Sequence, residues 1–318
     1  MTKKGYLSCC LAIISATAVL TSACNRTNAK KTSSDEPAAI VSNADGTSSD
    51  ADLPPASSDI TNKDAATEQP SAALSGEENT DDETPKGVQI LMKCYPDFVK
   101  GYKDGKLQMS DGTTLVYDDG KKKSFEQKLD DADVEDMFAF RYSRQWGTPD
   151  YLQDAGRSRS EQLFKKMYGS NASQVQSKLV DVKWFDANGN YGGASVKFTP
   201  VNGAADHLKA VAAELAKMPQ FKKYYKSEGT FYWRQVRGAK RQSAHSYGMT
   251  IDIGGNYKTY WLWSNPGASE TAKIRYENKM PREIVEAFER HGFIWGGRWY
   301  HYDTMHFEYR PEILMDNP

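Results

Sequence analysis

The chain has 318 residues and a formal net charge of −1, so no global field draws it to nucleic acid or another polyanion. Its length accommodates one large domain or two small ones. Four cysteines are present, and two of them, Cys9 and Cys10, lie in an apolar leader, which leaves too few for a disulfide-stapled fold.

Lys3 and Lys4 precede an apolar stretch from Leu7 to Leu20 that is too short to span a membrane comfortably as a permanent helix. Residues 1–24 therefore read as an export signal. The signal ends Leu20-Thr21-Ser22-Ala23-Cys24, small residues before a cysteine as in a bacterial lipobox, with Thr21 where Leu is usual. The expectation is lipidation at Cys24 and an N-terminal lipid anchor in the membrane of a bacterial cell envelope. The alternative is cleavage near Ala23 and a soluble exported protein. With Cys24 lipidated, Cys94 alone remains for the folded part, as a small apolar side chain rather than a nucleophile.

Residues 25–86 are rich in Ser, Thr, Ala, Asp, Glu and Pro and nearly devoid of large apolar side chains. Such a stretch cannot bury enough surface to offset its ordering entropy, and a disordered tether is expected. Aromatics begin at Tyr95, Phe98 and Tyr102. Lys106 to Tyr117 alternates between turn residues and predicts a hairpin. Val134–Tyr142 and Ser160–Tyr168 read as helices, and Leu179–Phe185 and Gly193–Phe198 as strands. Leu208, Val211, Ala212, Leu215 and Met218 fall on one face of a helix over Ala204–Met218. A second helix starts at Pro281, with Ile284, Val285 and Phe288 on its apolar face and Gly292 at its close. Strands and helices do not alternate in a βαβ rhythm. The fold class expected is α+β, a small antiparallel sheet with flanking helices, preceded by the tether.

Chemistry concentrates in two segments: Ser243-Ala244-His245-Ser246-Tyr247-Gly248-Met249-Thr250-Ile251-Asp252, and Asp303-Thr304-Met305-His306-Phe307-Glu308. Two imidazoles, a carboxylate ligand and a free carboxylate are the inventory of a catalytic zinc site with one position left for water. In a strand over Thr250–Ile253, Asp252 shares a face with Thr250 while Met249, Ile251 and Ile253 take the other. In a strand over Met305–Arg310, His306, Glu308 and Arg310 share a face. Asp303, in the preceding turn, stands three residues ahead of a ligand, where a base reaches bound water without binding metal. Glu308 is read either as a partner orienting a ligand or as a surface ion pair with Arg310. His301 is read as a hydrogen-bond donor near the site or as a structural histidine. Trp299 and the neighbouring aromatics are packing residues or the wall of a peptide groove, and Gly296-Gly297 would allow close approach of a substrate backbone. His291 is expected to cap the helix that ends at Gly292.

The pattern resembles the zinc D-Ala-D-Ala carboxypeptidase and L-Ala-D-Glu endopeptidase family, which shares its core with hedgehog domains. The family motif S-x-H-x-x-G-x-A-x-D, followed by an acid, two residues and His-Phe-Glu, stands here as Ser243, His245, Gly248, Thr250 (in place of Ala) and Asp252, then Asp303, His306, Phe307 and Glu308. The resemblance implies Zn²⁺ on His245, Asp252 and His306, with Asp303 as general base. It also implies an oxyanion arginine upstream of the first histidine. Arg234, at the end of an expected strand Phe231–Arg234, fits that place, with Arg237 and Arg241 as rivals. Residues 221–318 form the peptidase core on this reading, and residues 87–220 an extension of it. The expected activity is hydrolysis of the peptidoglycan stem peptide, as carboxypeptidase or endopeptidase. The alternative is a non-catalytic zinc-containing binding module, against which the acid at Asp303 argues. Oligomeric state is not legible.

Overall fold

A computed structural model describes residues 84–317. The expected export signal with Cys24, and the expected tether of residues 25–86 as far as residue 83, lie outside the described residues; Lys86 already belongs to a helix.

The first described helix, α1 (Lys86–Cys94), follows Pro85 and buries Val88, Ile90 and Leu91. Three short antiparallel strands follow, β1 (Val99–Lys103), β2 (Lys106–Met109) and β3 (Thr114–Val116), so the hairpin expected over Lys106–Tyr117 is present. α2 (Phe125–Asp130) opens with a reciprocal cap between Ser124 and Gln127. The helix expected over Val134–Tyr142 shrinks to one 3₁₀ turn, Glu135–Phe138. The cause lies downstream: the Tyr142 hydroxyl must reach Glu289 at 2.6 Å and accept from Trp295 N at 2.9 Å, and a continued helix would not carry it there. α3 (Glu161–Tyr168) and α4 (Ala172–Gln176) precede the antiparallel pair β4 (Val180–Phe185) and β5 (Tyr191–Phe198). α5 (Ala204–Leu215) buries Leu208, Val211, Ala212 and Leu215, the face its periodicity predicts.

The site rests on a third sheet. β6 (Thr250–Asp252) pairs with β8 (His306–Tyr309), which pairs in turn with β7 (Phe293–Trp295), all antiparallel. Between β6 and β7 come a one-turn helix α6 (Trp261–Ser264) and α7 (Arg282–Arg290); α8 (Pro311–Asp316) follows β8. One sheet face is apolar. Ile251 and Phe307 are fully buried, and Phe288 of α7 stacks on Phe307 with ring centroids 3.9 Å apart. His291 stands at the C-cap of α7, as expected, and its side chain also pairs with Glu214 of α5 at 2.9 Å, tying the two helices together. Cys94 is free and half-buried, packed against the core. Residues on both sides of position 220, from Val88 to Tyr309, join one apolar cluster. The arrangement is α+β with small antiparallel sheets. Among the described residues no helix is long and apolar enough to cross a membrane.

Candidate metal centre and its cleft

Strand register builds the centre. β6 and β8 pair Ile251 with Phe307, which sets Asp252 opposite His306. Directly opposed residues hold their Cβ atoms about 4.5–5.5 Å apart on one face, so the two side chains meet without any loop to position them. Asp252 Oδ1 lies 3.1 Å from His306 Nδ1. The third member comes from a 3₁₀ turn, Ala244–Tyr247, closed by Gly248 at φ 66°. A side chain at Gly248 would be strained by that φ, and its Cβ would come within 2.5 Å of Leu179. The turn aims His245 Nε2 at Asp252 Oδ2, 3.3 Å away.

The outer nitrogens fix both tautomers. His245 Nδ1 faces the Thr230 carbonyl at 3.1 Å, which can only accept, so Nδ1 carries the proton and Nε2 presents its lone pair. Thr250 Oγ1 stands 2.9 Å from the same Nδ1 and itself donates to Thr230 O. The residue that replaces the motif's Ala thus adds a polar contact to the imidazole. On the other side His306 Nε2 lies 3.0 Å from Glu308 Oε2, which leaves Nδ1 for a ligand. Glu308 is fully buried and accepts from Arg310 Nη1 at 2.7 Å, so the ion pair with Arg310 exists but lies in the interior. Arg310 Nε continues to Glu312 at 2.5 Å, and Glu312 takes the Tyr95 hydroxyl of the segment after α1.

Electrostatics follow from this crowding. Burial pushes the Asp252 carboxyl up, but the charges and hydrogen bonds of His245 and His306 outweigh it and hold Asp252 well below the usual carboxylate range. Burial draws the His306 imidazole down, but Asp252 and Glu308 push it up to about 10. Asp303 goes the other way. Burial and the charge of Asp252 push its carboxyl up to about 7. Its Oδ1 is buried without a hydrogen-bond partner.

Donor atoms of His245, Asp252 and His306 lie within 4.8 Å of one another. Two imidazole nitrogens with fixed tautomers and one carboxylate oxygen are a zinc-type donor set. The unpartnered buried oxygen of Asp303 beside them is what a site built around a cation and its water requires. The residues present fit the ion.

The centre opens into a cleft of ≈ 590 Å³ lined by His245, Asp252, Asp303 and His306 together with several of the other expected residues. Ser243 heads the His245 turn and lines the cleft. Trp299 packs tilted on His306, centroids 5.5 Å apart, and is anchored by its indole N–H to Ala155 O at 2.5 Å. Trp261 and Trp263 form part of a wall, the latter 58% exposed. Arg234 reaches the cleft, and its guanidinium makes one hydrogen bond, to Gln235 O at 3.3 Å. The strand expected over Phe231–Arg234 is absent. That run joins no strand ladder, and two of its amides bond the His245 turn instead: Tyr232 N to His245 O at 3.3 Å and Arg234 N to Ser246 Oγ at 3.0 Å. Gly296 and Gly297 do not face substrate. A Cβ on Gly296 would meet Asp303 O at 2.5 Å and one on Gly297 would meet the Trp295 ring at 2.1 Å, so both serve internal packing. A larger hollow of ≈ 790 Å³ beside β4 and β5 is lined by no histidine and lacks this donor set.

Several residues that line the cleft or hold its lining side chains have no signature in the sequence: Arg157 and Arg159 line it, and Asp154, Thr230 and Glu270 bond residues that do. His301 Nδ1 bonds Asp154 Oδ2 at 2.5 Å, and Arg157 bridges Asp154 and Glu270. Tyr151–Ser160 has no periodicity, and its one signal is the repeated arginine of Arg157-Ser158-Arg159.

Among known families, residues 237–309 match the one described as D-alanyl-D-alanine carboxypeptidase. No curated protein matches the chain.

Proposed function

We propose that this chain, whose residues 237–309 belong to the D-alanyl-D-alanine carboxypeptidase family and mark it as a peptidase, is a zinc enzyme that hydrolyses peptide bonds in the stem peptide of peptidoglycan. The observation that carries this is the convergence of His245, Asp252 and His306 beside an unpartnered, buried Asp303. These three residues would hold the ion, which when bound supplies Lewis-acid polarisation and a water acidified to near neutrality.

The chain's own residues do the rest. Asp303 receives a proton at its free Oδ1 and returns it to the leaving amine. The Arg234 guanidinium, which makes no ion pair among the described residues, is free to meet the developing negative charge on the substrate carbonyl oxygen. Thr230 and Glu308 keep the ligand nitrogens aimed inward. The export signal and Cys24 support placement of the enzyme on a cell-envelope membrane, where the stem peptide lies within reach.

Mass spectrometry of muropeptides incubated with the mature protein, with and without chelator, tests the activity. Chelator-sensitive release of D-Ala or of a stem fragment is expected. Metal analysis of His245→Ala and His306→Ala should show loss of stoichiometric zinc. Stoichiometric zinc with no cleavage of any muropeptide would replace this reading with that of a binding module. Detergent partitioning of wild type against Cys24→Ser tests the anchor.

A further inference from the structure

One wall of the cleft carries two guanidinium groups that proton transfer and oxyanion binding do not use. Arg157 and Arg241 line it, with the imidazole of His301 beside them. All three converge on one carboxylate. Glu270 Oε1 lies 3.0 Å from Arg157 Nη2 and 3.7 Å from Arg241 Nη2; Oε2 lies 3.1 Å from Arg157 Nη1 and 3.6 Å from His301 Nε2. Each oxygen thus faces one nitrogen of a guanidinium fork and one further cationic or polar group, the geometry in which arginine recognises a carboxylate.

The cradle is fixed from behind. Asp154, fully buried, accepts from the His301 amide at 3.0 Å, from His301 Nδ1 at 2.5 Å and from Arg157 Nη1 at 2.7 Å. Asp130 holds Arg241 Nη1 at 2.5 Å. With Nδ1 bonded to Asp154, His301 Nε2 is the atom left to face Glu270, and it donates to a carboxylate there when the ring is protonated. It is buried, and it makes no hydrogen bond. Trp261 packs edge-on against the same imidazole, centroids 4.5 Å apart, and keeps it upright. Glu270, by contrast, is more exposed than Arg157, Arg241 or His301. Its side chain is 30% exposed, and it sits in a turn on a stretch without helix or strand between α6 and α7. A buried cradle filled by a partly exposed carboxylate is the arrangement expected where a ligand's carboxylate takes the same place.

We propose that Arg157, Arg241 and His301 form a carboxylate subsite of the cleft, and that Glu270 stands in it until a carboxylate of the substrate displaces it. This rests on the peptidase reading and narrows it to a substrate bearing an anion at a set place from the scissile bond. Arg157 and Asp154 lie outside the matched segment 237–309, so the subsite belongs to this chain's extension rather than to the shared core. A stem peptide offers two sources for the anion, its free C-terminus and an internal side-chain carboxylate.

Equilibrium titration of the full mature protein, made inert by Asp303→Asn, separates binding from turnover. Three peptides serve as probes: diacetyl-L-Lys-D-Ala-D-Ala, its C-terminal amide, and an amidated acetyl-L-Ala-D-Glu-L-Lys-D-Ala-D-Ala. The free acid is expected to bind at least about tenfold more tightly than its amide, as loss of a charge-assisted contact implies. If the advantage appears only with the D-Glu peptide, the subsite takes the internal carboxylate. Arg241→Gln should abolish the advantage. Glu270→Gln, which removes the competing charge, should tighten the acid several-fold and leave the plain amide unchanged. Arg157→Lys should weaken the acid alone; should it fail to fold, Arg241→Gln and Glu270→Gln carry the test. Equal binding of all three peptides to the parent protein, or equal loss for acid and amide on Glu270→Gln, would overturn the subsite and leave Glu270 a structural counter-ion. Carboxylate-dependent binding in a protein whose Asp303 parent cleaves none of these peptides would sink the hydrolytic reading and not the subsite.

Discussion

Replacing Glu308 by Gln isolates what one buried charge does for the centre. The carboxylate accepts from Arg310 Nη1 at 2.7 Å and faces His306 Nε2 at 3.0 Å, with Arg159 Nη1 3.7 Å from the oxygen that meets the histidine. An amide of the same shape offers one acceptor in place of two, so its NH₂ must point at the guanidinium or at the imidazole N–H. One buried donor is stranded, which costs about 1–3 kcal/mol. Arg310 and Arg159 also lose counter-charge, and the total should approach the ~3–5 kcal/mol of a broken buried ion pair. For a domain of this size that is a fall in Tm of about 6–20 °C, at roughly 2–4 °C per kcal/mol. The electrostatic surroundings of the wild-type carboxyl give the same scale. Burial pushes it up, but Arg159, His306 and Arg310 take it down from 4.5 to about 2, which contributes on the order of 3 kcal/mol. A depressed acid stabilises fully above its unfolded pKa and loses that contribution as pH falls through the folded one. The gap between wild type and variant should therefore be widest above about pH 4.5 and close toward pH 2. Thermal unfolding followed by circular dichroism on EDTA-treated protein, carried as far into acid as the fold survives, measures this. A competition titration for zinc at neutral pH should show about 10–100-fold weaker binding, because His306 loses its orienting partner. A variant within about 2 °C of wild type at neutral pH, with zinc affinity unchanged, would refute the reasoning.

Asp303→Asn should retain stoichiometric zinc and lose about a hundredfold or more in kcat, read by metal analysis beside muropeptide turnover. Near-wild-type turnover would move the base elsewhere. Arg234→Ala should lower kcat/KM by about 2–4 kcal/mol with fold and zinc content intact, as removal of an oxyanion donor does. Arg237→Ala serves as the milder comparison, and a larger loss there would reassign the role. Thr250→Ala removes the hydroxyl at His245 Nδ1 but leaves the Thr230 carbonyl, so it should cost about 0.5–1.5 kcal/mol in urea unfolding and keep the zinc. Zinc loss in that variant would mean that the hydroxyl, not the carbonyl, holds the imidazole.

The sheet that carries the centre was legible because its residues obey a period of two. Asp252 and His306 each alternate with apolar neighbours, and that alternation predicts which face they occupy. The α5 stripe was legible for the same reason at period 3.6, and Leu208, Val211, Ala212 and Leu215 are buried as it requires. Legibility stops where position depends on a distant partner. The aromatic run before Arg234 has strand composition, yet its amides find a turn to bond instead of a strand. Val134–Tyr142 has helical spacing, yet one tyrosine hydroxyl contact far along the chain pulls it out of register. Arg157 and Asp154 sit 144 and 147 residues before the histidine whose wall they build (301 − 157 and 301 − 154), on a segment with no period at all. Local pattern cannot report such contacts, since only the tertiary fold supplies them.

The chain of buried charges running from Tyr95 through Glu312, Arg310 and Glu308 to His306 bears on how portable this catalytic apparatus is. The family segment ends at residue 309, one residue before the arginine that neutralises its own Glu308. The remaining neighbours of that ion pair, Arg159 and the Gly156 carbonyl that anchors Arg310 at 2.9 Å, come from well upstream. Excised and grafted onto another scaffold, residues 237–309 would carry an interior carboxylate without either of the arginines that face it. A donor fragment meant to transplant the activity must therefore begin before Tyr95 and run past Glu312, which is nearly the whole of the described chain.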